Sequence, residues 1–282
     1  MVIAGCGFLG EAAAGLFLRA GWRVLGICAS GESAGRLSAK GIEGFAADIS
    51  QRFDVPGGWE RPEVVIHSAS SGRGGPDAYD RVYRAGMEEL VAGFRPARVI
   101  FTGSTSVYGQ ASGVWVDEGS ETFPPRETGE ILLSAEKIAL KAGGFVARLS
   151  GIYGPGRSVL LRKFLDRTAT LEGGGDRWIN QIHRDDGASA LFHLATADAE
   201  AGVYNVCDNT PATQREVYRW IAACVGGSLP PDCPPEIGRK RGWTNKRVSN
   251  GKLRATGWAP RFPSYQDALP ALVVQADSTH RA

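Results

Sequence analysis

Short apolar runs alternate along this chain with segments whose apolar positions recur every third or fourth residue, the pattern of strands buried beneath helices. Val2-Ile3-Ala4 reads as the end of a buried strand. Leu9, Ala12, Ala13, Leu16, Phe17 and Ala20 then share one helical face, and Gly21 stops that helix. Val24–Cys28 is predicted as a second strand, Gly44–Ile49 as a third and Val64–Ala69 as a fourth. The fourth is continuous and β-branched, as suits a strand buried on both faces. A helix is expected from about Asp77 to Phe94, a fifth strand at Arg98–Thr102 and a sixth at Gly144–Leu149. Strands and helices in strict alternation predict a doubly wound parallel sheet.

The second half reads differently. Gly154-Pro155-Gly156, Gly173-Gly174-Gly175 and the Pro-rich run Leu229–Pro235 break it into short elements. A helix from about Asp185 to Ala195 and a strand at Gly202–Val206 are expected to return to the main sheet. The predicted organisation is therefore a nucleotide-binding domain over residues 1–154, with returning segments at about 180–207, and a smaller lobe over 155–179 and 208–282. No internal repeat is present.

Between the first strand and the first helix stands Gly5-Cys6-Gly7-Phe8-Leu9-Gly10, a G-x-G-x-x-G. In a dinucleotide-binding fold the first glycine makes the turn, the second admits a pyrophosphate to backbone amides, and the third lets helix and strand approach. The phosphates rest on the helix N-terminus. A glycine-rich turn without a ligand is the plainer alternative, but strand before and helix after are both in place. The fold class is α/β: a Rossmann-type doubly wound parallel sheet with a smaller C-terminal substrate lobe. A first strand ordinarily has about five or six residues; here almost none precede the loop, so the expectation is a start slightly upstream or an unusually short strand. A secretory leader is not indicated, because no basic segment opens it and Arg19 interrupts the apolar run.

Composition narrows the class. With 282 residues, 43% hydrophobic and 22% charged, the chain is ordinary for a soluble globular protein. No apolar stretch approaches the roughly 18 residues of a membrane span. A net charge of +2 gives no argument for nucleic acid. Five cysteines without a C-x-x-C speak against disulfides and structural zinc, and point to the cytoplasm. No ligand cluster supports a metal.

Taken in order, the motifs resemble the extended short-chain dehydrogenase/reductase superfamily of NAD-dependent epimerase/dehydratase type. Gly5, Cys6, Gly7, Phe8, Leu9 and Gly10 match its phosphate loop; Asp48 and Ile49 match the acidic pair that holds the adenine amino group. His67-Ser68-Ala69-Ser70 matches the strand end along the cofactor, and Phe101–Gly109 the serine-bearing strand ending in Val-Tyr-Gly. Arg148–Arg157, Ile182–Asp186 and Gly257–Pro260 match later blocks. The resemblance implies nicotinamide-dependent oxidoreductase or epimerase chemistry on a small carbonyl, alcohol or nucleotide-sugar-like substrate. In that family two helices commonly pack across a homodimer.

One departure is serious. The family pairs a tyrosine with a lysine four residues later, the lysine lowering the phenol's pKa for proton exchange. Aligning Thr128-Gly129 with the family's Tyr-Gly puts Thr128 and Leu132 in those places; taking Lys137 as the lysine puts Leu133 at the tyrosine. A threonine hydroxyl cannot replace a phenol near neutral pH, and the loss points to the atypical branch of the superfamily. A sensor or scaffold that binds NAD(P)H without catalysis is the alternative function.

Other candidates each carry two readings. Ser104 corresponds to the hydroxyl that bonds the reacting oxygen, or it satisfies the strand-end backbone. Tyr108 is an acid/base candidate or a packing plug. His183 is a proton donor or, as the resemblance favours, packs beneath a helix that Asp185 or Asp186 begins. His67 and His193 read as core or helix positions. Tyr153 and Arg157 follow the sixth strand, at the sheet edge where ligands bind; Ser68, Ala69, Ser70 and Tyr153 would line the cofactor, and Arg157 a substrate anion. Arg247, in the basic stretch Arg239–Arg247, is placed to clamp a diphosphate or is merely solvated. Cys28-Ala29-Ser30-Gly31 lacks the carboxylate that holds NAD ribose, while Ser30 and Arg36 could receive a 2′-phosphate, so NADP is preferred over NAD.

Overall fold

A computed structural model describes residues 1–72, 74–235 and 244–280, the last six by backbone alone. The chain forms two compact units: Met1–Val107 with Arg126–Arg148 and Ala188–Tyr204, and Tyr108–Pro125 with Leu149–Gly187 and Asn205–Ala282. The first domain drawn from sequence as 1–154 is thus interrupted, since Tyr108–Pro125 joins the second unit. Its strand Val114–Val116 pairs in parallel with Lys246–Val248, a partner more than a hundred residues away that local pattern cannot announce.

Seven strands form the main sheet: β1 (Val2–Ala4), β2 (Leu25–Cys28), β3 (Glu43–Ala46), β4 (Val64–His67), β5 (Arg98–Ser104), β6 (Phe145–Leu149) and β7 (Gly202–Val206), in the order β7-β6-β5-β4-β1-β2-β3. β1 runs parallel to both β2 and β4, with Ala4 opposite Ile27 on one side and His67 on the other. β2–β3 and β4–β5 are parallel as well. The chain leaves β1 in one direction to build β2 and β3 and in the other to build β4 and β5. The sheet therefore has its topological switch point between β1 and β4, where such folds bind ligands at the carboxyl ends of the strands.

The expected elements form with small changes of length. Helix α1 (Phe8–Arg19) buries Leu9, Ala13, Ala14 and Phe17, and the Phe17 ring meets Trp22 and Phe192 edge-on. The first strand is fully buried between β2 and β4, with Val2, Ile3 and Ala4 each at 0% exposure. The helix expected over 77–94 is Pro76–Phe94 with a π-helical turn at Asp80–Ala85. Periodicity alone does not reveal that turn. In it the Val82 carbonyl accepts from His67 Nε2 at 2.8 Å; burial lowers the His67 pKa to about 4, so the imidazole is neutral.

An ion pair lies inside this unit. Arg148 on β6 donates through Nε and Nη2 to the Glu136 carboxylate at 2.7–3.2 Å, with the two side chains 7% and 3% exposed. Glu136 lies on the helix Glu127–Lys141, and a Cβ on Gly103 of β5 would stand 3.0 Å from its Oε1. The pair thus bridges helix and strand beneath a glycine.

The second unit has two-stranded pairs instead of a large sheet: Trp178–Ile179 with Ala212–Thr213, Gln181–His183 with Gly151–Tyr153, and Leu171–Glu172 with Asp232–Cys233, besides the pair already named. Its core gathers Tyr153, Leu161, Leu171, Tyr218, Ile221, Tyr265 and Leu269. Side chains tie the backbone together. Asp186 accepts from the N–H groups of Arg261 and Phe262 at 2.7 and 3.0 Å, and Asn250 Nδ2 donates to the Cys207 carbonyl at 2.8 Å. The helix Gln214–Val225 starts on a capping box between Thr213 and Glu216. Among the described residues no helix is long and apolar enough to cross a membrane.

Replacing Arg148 with Met is expected to destabilise the fold by about 3–5 kcal/mol, because Glu136 is left as an uncompensated buried charge. The double replacement Glu136→Leu/Arg148→Met is expected to recover most of that loss in denaturant melts. Equal instability of single and double variants would show that packing, not charge, carries the effect.

Candidate functional site

The glycine loop lies at the switch point. Gly5 has φ +83°, and a Cβ there would stand 2.2 Å from the backbone N and Cα of Ala69, so the loop passes the end of β4 in direct contact. Its N–H donates to the Ile27 carbonyl at 2.9 Å, and Ser68 N–H donates to the Ala4 carbonyl at 2.7 Å, fixing the turn on both sides. A Cβ on Gly10 would meet the Gly5 carbonyl oxygen at 2.6 Å, which is the close helix packing asked of a third glycine. Gly7 differs: nothing lies within 4 Å of its missing Cβ, it is exposed, and it precedes α1 without a side-chain cap. Crowded first and third glycines beside an open second one make a cradle at a helix N-terminus, so the residues present fit a pyrophosphate. The Cys6 thiol is buried and pushed up to about 12 by desolvation, which leaves it inert at neutral pH.

Around that cradle the remaining residues of the first unit take definite positions. Asp48 is exposed and accepts from Ser50 Oγ at 2.7 Å and Ser50 N–H at 3.0 Å, bonds that lower its carboxyl pKa; Ile49 beside it is buried. Ser68 and Ala69 are half-buried at the β4 end, and exposed Ser70 accepts from the Gly72 N–H at 3.2 Å. Ser30 caps α2 (Gly31–Ser38), its Oγ accepting from the Ser33 N–H at 3.3 Å. Arg36 is exposed on the same helix and donates to Glu32 at 2.8 Å and to Ser33 Oγ at 3.0 Å. A cavity of about 530 Å³ elsewhere in this unit is walled by Arg52, Asp54, Glu60, Arg61, Glu89 and Arg95 and contains none of the loop residues.

Ser104 ends β5, half-buried, its Oγ accepting from the Ser106 N–H at 3.2 Å. That bond uses one lone pair and orients the hydroxyl, whose proton can donate elsewhere. Thr128 stands half-buried in the first turn of Glu127–Lys141; Leu132 is buried, Leu133 half-buried and Lys137 exposed. No tyrosine or lysine occupies the buried side of that turn. The helix glutamate, Glu136, is committed to Arg148.

In the second unit Tyr108 is fully buried and its hydroxyl donates to Asn205 Oδ1 at 3.0 Å, the geometry of the packing plug. Asn205 also donates to the Ser249 carbonyl, and its own N–H donates to Glu118 at 2.6 Å. His183 is 4% exposed; its Nδ1 accepts the Asp185 N–H at 3.2 Å at the start of the helix Arg184–Thr196, which leaves the ring proton on Nε2. Desolvation holds its pKa below the ordinary value. Its ring packs 4.4 Å from Phe262 and 5.4 Å from Tyr153. The Tyr153 hydroxyl is buried without a hydrogen-bond partner among the described residues, and burial raises its pKa. Arg157 is exposed and closes a turn with Gly154 through paired backbone bonds.

Arg247 is half-buried. Its guanidinium lies 5.2 Å from the Trp115 ring and 5.0 Å from that of Trp178, and Nε donates to the Gly113 carbonyl at 2.8 Å. The Arg239–Trp243 part of the basic stretch lies outside the described residues. Sequence reading passed over the neighbouring Lys246, which is 4% exposed. The one available signal was alternation: in a strand Lys246 and Val248 share a face opposite to Arg247.

A doubly wound sheet with a glycine cradle at its switch point defines a dinucleotide-binding protein of the Rossmann class. The NAD dependent epimerase/dehydratase family matches residues 1–207, and the chain belongs to that family. Protein YeeZ of Escherichia coli (strain K12) is 30% identical over 239 residues, which is 80% of this chain and 84% of YeeZ. A 3-diazoavenalumate denitrifying reductase of Streptomyces sp is 28% identical over 243 residues, 74% of this chain and 79% of the reductase. The solved structure of a functionally unknown conserved protein of Silicibacter pomeroyi DSS superposes with a TM-score of 0.74 at 26% identity, covering 98% of each chain.

Gly5→Ala is expected to abolish dinucleotide binding and to destabilise the chain, by about 1–3 kcal/mol from backbone strain alone, since the methyl group would collide with Ala69. Gly7→Ala, with open space at that position, is expected to fold normally and lose affinity only. Calorimetric titration with NADH and NADPH beside thermal melts separates the two. A normally stable, cofactor-binding Gly5→Ala would refute the contact.

Proposed function

We propose that the protein is a nicotinamide-dependent reductase of a small carbonyl-type substrate that works without the Tyr-x-x-x-Lys pair. The observation that carries the reading is the open cradle at Gly7, with a hydroxyl at the end of β5 oriented by the Ser106 N–H. The relative whose name is that of a reductase supports it, although at 28% identity it does not transfer a substrate. Gly5 to Gly10 would hold the pyrophosphate, Asp48 the adenine amino group, and Ser68 to Ser70 the nicotinamide side. When bound, the reduced cofactor supplies a hydride.

The remaining work falls to this chain's own residues. Ser104 holds the substrate oxygen by donating its hydroxyl proton, which lowers the energy of the alkoxide that forms. The neutralising proton is assigned to water: the Tyr108 hydroxyl is spent on Asn205, and His183 is packed as a helix cap. Thr128 has no acidity to offer near neutral pH. NADP is the proposed form of the cofactor, because no carboxylate ends β2 while Ser30 at the N-terminus of α2 and the Arg36 guanidinium suit a 2′-phosphate. The absent relay pair favours a second reading, a sensor that binds the cofactor without turnover. Tight NADPH binding with no oxidation across a carbonyl panel selects the sensor.

Two outcomes are expected of the reductase. Ser104→Ala should lower kcat about 10²-fold, as for loss of one donor to a developing oxyanion, while the Kd for NADPH stays within about twofold by tryptophan fluorescence; unchanged turnover would sink the assignment. Arg36→Ala should weaken NADPH by about tenfold, at the lower end of a charged hydrogen bond, and leave NADH unaffected. Equal loss for both cofactors removes the NADP preference.

A further inference from the structure

Among the described residues three other than glycine stand on left-handed backbone, and two of them, Arg61 (φ +54°) and Arg95 (φ +46°), line the same cavity of the first unit. Glycine or asparagine ordinarily fills such a position. The two share a local sequence: each arginine is followed by a proline and stands three residues before a strand, Arg61 before β4 and Arg95 before β5. The proline already presses the residue ahead of it toward extended backbone. A bare turn needs no long cationic side chain at that point, so strain at two arginines on one cavity points to a use for the guanidinium groups.

β4 and β5 run parallel with Val64 opposite Arg98, and the Ala97 and Arg98 N–H groups donate to the Pro62 and Glu63 carbonyls at 3.3 and 2.9 Å. The two turns therefore lie side by side at the amino ends of these strands, whereas the glycine cradle lies at the carboxyl end of β4. The cavity they line, about 530 Å³, also has Arg52, Asp54, Glu60 and Glu89 in its wall, and Phe53 and Phe94, whose rings pack 5.8 Å apart, supply its apolar part. That volume falls within the roughly 300–1,000 Å³ of small-molecule sites. Three cations and three anions thus line one space. Among the described residues none of the six forms an ion pair, and the hydrogen bond made by their side chains is that from the Gly58 N–H to Glu60 at 3.0 Å. A ligand of one sign would meet as many like charges as opposite ones. A molecule that carries both signs finds a partner for each.

We propose that this cavity is a second ligand site, which takes a small zwitterion of amino-acid type. Its carboxylate is held by Arg61 and Arg95, whose guanidinium groups suit two-pronged hydrogen bonds. Its amine meets Asp54, Glu60 and Glu89, and the carbon chain between them lies against Phe53. The site stands apart from the cofactor cradle, at the other edge of the sheet, and does not depend on the reductase reading.

The test reads the two arginines directly. Their side-chain Nε–H resonances in the full chain, assigned by loss in Arg61→Gly and Arg95→Gly, are followed while glycine, 4-aminobutyrate and 6-aminohexanoate are added at matched ionic strength. Butyrate and butylamine serve as controls with one charge each. Both resonances are expected to move with at least one zwitterion, bound about tenfold more tightly than either control, the lower end of one added charged hydrogen bond. Glycine suits left-handed backbone, so the two variants are expected to melt no lower than the parent, while the arginine left in each reports an affinity weakened about tenfold. Should a glycine variant melt lower, Arg61→Gln and Arg95→Gln carry the same comparison on unchanged backbone. Resonances moved by none of the three zwitterions, equal affinity for zwitterions and controls, or undiminished binding in both variants overturns the proposal. NADPH affinity, measured on the same samples, is expected to be unchanged in every variant.

Discussion

The first unit depends on one steric constraint, the passage of the loop after β1 directly against the end of β4. Only a residue without a side chain can stand 2.2 Å, measured from an imagined Cβ, from the Ala69 backbone, and only one tolerant of φ +83° can then turn into α1. From that contact follow the position of the helix N-terminus, the open space at Gly7 and the convergence of β1 and β4 at the switch point. The cradle at the helix N-terminus is a consequence of how closely two strand ends pack.

The helix that carries the proton relay in the resembling family keeps a different task here. Its buried face holds Leu132, Ala135, Glu136 and Ala139, and the glutamate meets Arg148 of β6 through a desolvated, two-pronged ion pair. Such pairs gain little net stability over well-packed apolar residues but are costly to break from one side. The helix is held in place by packing and by charge. At the adjoining strand end the Ser104 hydroxyl is oriented by the Ser106 N–H.

In the second unit, side chains do what a large sheet does in the first. Asn180, Asn205, Asn250 and Asp186 spend their polar atoms on backbone groups of distant segments, which is how short strand pairs and loops satisfy buried N–H and C=O groups.

Much of the first unit was legible from the chain itself. Strand runs such as Val64–Ile66 and the Leu9/Ala13/Phe17 face carry their burial in local periodicity, and the spacing of Gly5, Gly7 and Gly10 carries the cradle. Those features arise between residues near in sequence, so pattern suffices. The fate of Tyr108, bonded to Asn205, of Arg247, set against the Trp115 and Trp178 rings, and of Lys246, turned inward on its strand, could not be read that way. Each depends on a partner brought from far along the chain, and whether a charge is solvated, stacked or left unpaired is decided only when tertiary packing removes the water around it.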